Sequence, residues 1–149
     1  MILFMCTLVF TSCKDDDDFP IPLPDTKVYE LEPVADSTIE GTATFVRVDD
    51  RTTSITIVLT GTPTGGIHPA HIHANSVEEG GPIVISLTPV DGTTGLSNTI
   101  VQTTDDGTPI SYEELLNYDG HLNVHLSAEQ LDVYIAQGNI GSNEDEDED

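Results

Sequence analysis

The run from Ile39 to Thr60 restricts the fold most, because polar and apolar residues alternate there on both sides of a short polar break. Ile55, Ile57 and Leu59 alternate with Ser54, Thr56, Val58 and Thr60, and successive side chains of a strand point to opposite faces. Ile39 to Val48 reads as one long strand, joined to the strand at Thr53 to Thr60 by the polar connection Asp49-Asp50-Arg51-Thr52. Ile83, Ile85 and Leu87 repeat the pattern around Val84 and Ser86. Further strands are expected at about Val28 to Val34, Ala70 to Asn75, Leu96 to Val101, His121 to Ser127 and Asp132 to Ile140. The one helix expected is Ser111 to Asn117, opened by the capping box Ser111-Tyr112-Glu113-Glu114 and broken by Tyr118-Asp119-Gly120. Many short strands and frequent turns point to an all-β antiparallel sandwich or barrel, with a Greek-key-like β-sandwich as the expected form.

Composition narrows the function before any motif is read. The 149 residues carry 27 acids against four Lys and Arg, a net charge of -23. Phosphate recognition depends on Lys and Arg releasing counterions, so nucleic acid is excluded as a partner. Charge-driven docking on anionic lipid is disfavoured on the same ground. One domain is expected at this length, and two cysteines cannot build a disulfide scaffold. Ten of the acids sit in two end runs, Asp15 to Asp18 and Glu144 to Asp149, and like charges in a block stay solvated.

The first twelve residues, M-I-L-F-M-C-T-L-V-F-T-S, are almost wholly apolar and lead directly to Cys13. They are shorter than the ~20 residues needed to span a bilayer and suit the apolar region of a signal peptide. With Thr11 and Ser12 before Cys13, the segment resembles the lipobox of bacterial lipoproteins, whose cysteine becomes the lipidated first residue. Phe10 stands where Leu is commonest and no basic residue precedes the apolar run, so the true start is expected upstream of Met1. Lys14 and the four aspartates after it resemble the export signal that sends Bacteroidota lipoproteins to the outer face of the outer membrane. The implied organisation is a signal peptide at 1–12, a lipidated cysteine with acidic signal and proline-rich linker at 13–26, a β-domain at 27–142 and an acidic tail at 143–149. Cys13 then carries acyl chains, palmitate among them, as the membrane anchor, and the folded domain has no thiol chemistry.

All five histidines fall in two blocks, His68, His71 and His73 in H-P-A-H-I-H, and His121 and His125 in H-L-N-V-H. His71 and His73 share a strand face, as do His121, Asn123 and His125, opposite Leu122, Val124 and Leu126. The apolar triplet must take the core, so the histidines lie on the other face, outside the core or under a covering loop. Two imidazoles at i and i+2 with a third from a neighbouring strand can hold copper or zinc. The alternative keeps these histidines as half-exposed strand residues hydrogen-bonded to Thr, Asn or carboxylates. No phosphate loop, nucleophile elbow or EF-hand pattern is present, and Gly65-Gly66 and Gly80-Gly81 read as turns.

Gly41-Thr42-Ala43-Thr44-Phe45, Pro69-Ala70-His71-Ile72-His73, Gly81-Pro82-Ile83-Val84-Ile85-Ser86-Leu87, Glu114-Leu115-Leu116 and Gly120-His121-Leu122-Asn123-Val124-His125 follow one another in an order that resembles the CHRD domain, named for its repeats in chordin. The resemblance runs from about Lys27 to Ser142 and implies an all-β sandwich. It places His71, His73 and His125 at family-typical positions, with His68 and His121 as additions. The family's closing P-G-G-E-I-R-G stretch is absent, and Asn139, Ile140 and Gly141 stand near the place of its Glu and Arg. The H-I-H block is also similar to the H-V-H copper ligands of copper-zinc superoxide dismutase, but no zinc loop or disulfide accompanies it. The expected function is a non-enzymatic surface module that binds an extracellular protein or glycan partner, or copper or zinc through His71, His73 and His125, with His68 and His121 as supplements. A structural or adhesion module without metal, and a dismutase-like copper enzyme, are the alternatives.

Overall fold

The computed structural model describes residues 24–144. The expected signal segment, Cys13 with its acidic run, most of the proline-rich linker and the last five acids lie outside the described residues. Eight strands and one helix follow in chain order: β1 (Thr26–Pro33), β2 (Glu40–Asp49), β3 (Thr52–Thr60), β4 (Ile67–Ala74), β5 (Ile83–Asp91), β6 (Leu96–Val101), α1 (Tyr112–Leu116), β7 (Asp119–Ser127) and β8 (Gln130–Gly141). Every strand expected from the alternation is present, and all the pairings are antiparallel. No helix among the described residues is long and apolar enough to cross a membrane.

The strands pair in the order β1-β2-β3-β6-β5-β4-β7-β8, and β8 returns to β1 to close a barrel. β4, β5 and β6 form a meander with β7 beside β4 and β3 beside β6, which is Greek-key order. The architecture therefore departs from the expected sandwich, because both edges that a sandwich leaves open are paired. The closures are thin. β5 meets β6 through one register pair, Asp91 with Leu96, and β1 meets β8 through two, Glu32 with Gln137 and Pro33 with Ala136. Between these seams lie two four-stranded halves with extensive pairing.

Alternation drives this closure, since each strand has one face that must leave water. Tyr29 and Leu31 of β1, Ala43 and Phe45 of β2, Ile55, Ile57 and Leu59 of β3, Ile72 of β4, and Leu122 and Val124 of β7 are buried together. Each fully buried Leu, Ile or Phe contributes roughly 1.5–3 kcal/mol. Tyr29 and Phe45 meet edge to face at 5.0 Å. At one end, Arg47 pairs with Asp25 at 2.8 Å and with Glu113, and lies 5.0 Å from the Tyr112 ring centre, tying α1 to β2. The helix starts as its sequence requires: the Glu114 amide donates to Ser111 Oγ, and the Ser111 amide donates to Glu114 Oε2 at 2.7 Å.

Candidate metal centre

The register between β4 and β7 builds the site. His71 lies opposite Asn123, Ile72 opposite Leu122 and His73 opposite His121. The pleat sends Ala70, Ile72, Leu122 and Val124 into the barrel and leaves the histidine face outside it. That face is nevertheless buried: His73, His121, Asn123 and His125 are 7, 3, 3 and 2 % exposed, while His71 is half-buried. The half-exposed alternative does not describe it, and the covering loop does.

Two segments form the cover. The β4–β5 connection at 75–82 lies over His73 and His121, held in place by the Val77 amide donating to Asn139 Oδ1 at 2.8 Å. Its backbone comes so close that a Cβ on Gly81 would sit 2.1 Å from the Ala74 carbonyl oxygen, so only glycine fits. On the other side β8 bulges away from β7 around His125, and the bulge brings the Leu131 carbonyl and the Tyr134 ring onto that imidazole.

The hydrogen bonds fix the tautomers. Carbonyl oxygens only accept, so a ring nitrogen facing one must carry the proton. His73 Nδ1 donates to Gly81 O at 3.0 Å, His121 Nδ1 to Asn75 O at 2.7 Å and His125 Nδ1 to Leu131 O at 2.7 Å. Each Nε2 is left as a bare lone pair, the state a metal ligand needs, and Nδ1–carbonyl bonds of this kind orient histidine ligands. His73 Nε2 is buried with no partner among the described residues. His71 alone has no carbonyl: its Nδ1 lies 2.9 Å from His125 Nε2 and, in the metal-free protein, must donate to it.

His71, His73 and His125 each offer one ring nitrogen, and the three lie within 4.8 Å of one another. Tetrahedral coordination at ~2.0–2.1 Å separates nitrogens by roughly 3.3 Å, so the widest pair must close by about 1.5 Å. His121 shares the face, stacked on His73 with ring centres 5.1 Å apart, but falls outside the three-nitrogen cluster. His68 is elsewhere. It alternates with Ala70 and Ile72 on the opposite face, donates Nδ1 to Leu126 O at 2.9 Å, and has the Gly66 backbone against its Nε2.

Burial pushes the pKa of His71 down to about 4, helped by His125 and His73 and opposed by Asp105. Burial also lowers His121 and His125, against the bonds to Asn75 and Leu131. All three are therefore neutral near pH 7, with no proton to compete for the lone pairs.

Compared with known protein families, residues 24–135 match the CHRD domain. The chain belongs to the CHRD domain family. No curated protein matches it. The match takes in both histidine blocks of this CHRD domain and ends within β8, before Asn139. The position where the family's acid and base were missed is thus occupied by an amide that pins the covering loop. Spacing sets Asn123 on the histidine face but signals no role for it; its buried Oδ1 has no partner among the described residues. The carbonyls of Gly81, Asn75 and Leu131 carry no sequence signal, because any residue supplies one.

Proposed function

We propose that this CHRD domain is a non-enzymatic binding module that holds a copper or zinc ion between His71, His73 and His125. The observation that supports this reading is the convergence of three imidazole nitrogens within 4.8 Å, two of them on rings whose other nitrogen is fixed by a backbone carbonyl. No Cys, Asp or Glu belongs to that cluster among the described residues, which suits borderline ions that favour imidazole over hard ions that favour oxygen. Titration calorimetry on metal-free protein should show one Cu(II) or Zn(II) bound with micromolar affinity or better. His71→Ala with His73→Ala should abolish it.

A second reading, a structural module without metal, has one observation in its favour: the 2.9 Å His71–His125 bond already closes that pair. It requires that metal produce no heat and that a chelator leave Tm unchanged. In our reading the bound metal raises Tm, because a ligand that binds only the folded state stabilises it.

The motif around Cys13 supports display of this module on the outer membrane through a lipid anchor, facing an extracellular protein or glycan partner. Cells fed radiolabelled palmitate should label the protein, and Cys13→Ala should remove the label. Persistent labelling of that variant would remove Cys13 as the anchor.

A further inference from the structure

Two polar side chains of the histidine face stand outside the metal cluster: His121, whose Nδ1 donates to the Asn75 carbonyl, and Asn123. Asn123 is 3 % exposed, its Oδ1 is buried, and that oxygen has no hydrogen-bond partner among the described residues. Leaving a buried acceptor unmade is costly, and such groups call for a partner that is not protein. Its position is informative. The register sets Asn123 directly across from His71, and on its own strand it lies between His121 and His125. Residues directly opposite in an antiparallel pair have Cβ atoms roughly 4.5–5.5 Å apart, so the amide borders the cluster.

Three imidazoles also leave a metal ion incomplete. Zinc and copper(II) take at least a fourth ligand, and with three protein ligands that position goes to solvent or an exchangeable small molecule. Among the described residues no fourth His, Cys, Asp or Glu joins the cluster. His71, the half-buried member, is the point where solvent reaches it.

We infer that Asn123 Oδ1 accepts a hydrogen bond from a water molecule on the open coordination position of the His71–His73–His125 centre, which makes this an exchangeable site that discriminates water from small anions. The inference rests on the metal reading above. A metal-bound water has two protons to donate, so it satisfies Oδ1. An anion such as azide donates nothing and sets negative charge against the carbonyl dipole. Asn123 is thus a positioning residue for the exogenous ligand, and the imidazoles hold the metal without it.

The test is azide titration of the Cu(II)-loaded protein, read from the azide-to-copper charge-transfer band and the paramagnetic resonance spectrum. Azide should bind the wild type. Asn123→Leu, similar in size and without the acceptor, should bind azide about two- to tenfold more tightly, the equivalent of one net hydrogen bond. Its Cu(II) affinity should stay within about threefold of wild type, since no metal ligand is removed. Asn123→Asp, a stronger acceptor with added negative charge, should move azide affinity the other way, and it decides the matter if the leucine variant does not fold. Equal azide affinity in the variants, or no azide binding to copper-loaded wild type, overturns the role of Asn123 while the metal site stands. Failure of wild type to bind Cu(II) overturns both. A purely structural role for Asn123 would change the Tm of the metal-free protein and leave azide affinity alone.

Discussion

His71 differs from the other four histidines in having no backbone carbonyl on its Nδ1. Its partner there is another imidazole, so it is the ring that must give up a hydrogen bond when a metal enters. It is also the one driven down to about pH 4 from an ordinary 6.5. In the window between these values the unfolded chain takes up a proton that the folded chain refuses. The unfolded state then binds more protons, so the stability of the metal-free protein falls as pH drops from about 6.5 to about 4. His121 and His125 act in the same direction. Urea denaturation of metal-free protein across this range should show the loss, and His71→Gln should flatten it. A pH-independent midpoint in wild type would count against a neutral buried cluster. At this scale the sequence was legible as far as residue type and strand face. Period two set His71 beside His73 and His121 beside His125, because it is a property of each strand alone, while the grouping of His71, His73 and His125 came from the CHRD resemblance. The pattern left His68 with them because the strand was expected to begin only at Ala70; with β4 starting at Ile67, the same alternation sets His68, three residues before His71, on the core face with Ala70 and Ile72.

At the scale of elements, β7 shows why the alternation was readable and the burial was not. Leu122 and Val124 faced inward as required, but the opposite face was buried too, by a loop and a bulge whose paths depend on distant contacts such as Val77 to Asn139. The short helix was fully legible because its start is local. Both arms of the capping box form, and Glu114 has its carboxyl pKa lowered by the bonds to the Ser111 backbone and side chain. Ser111→Ala removes the acceptor for the Glu114 amide and should cost about 1 kcal/mol. Chemical denaturation should register this as a lower midpoint with an unchanged slope. Because α1 reaches β2 through Glu113 and Arg47, the same substitution should leave the histidine cluster and its metal affinity intact.

For the whole molecule, strand number and antiparallel sense could be read from the pattern, while closure could not. Whether eight strands form a sandwich or a barrel depends on the few register pairs that join β5 to β6 and β1 to β8, and neither pairing leaves a mark in periodicity. The net charge, in turn, does not describe how the strands close. One contact across the molecule has a consequence for its connectivity. Lys27, in the first strand, pairs with Glu144 at the far end of the described chain, at 2.5 Å. Entry and exit of the domain therefore meet at one place on the barrel. The polypeptide is close to a closed loop, so the order of its elements could be rotated: joining residue 144 to residue 24 and opening the Asp49–Thr52 turn would begin the chain at β3, end it at β2 and leave every strand beside its present neighbours.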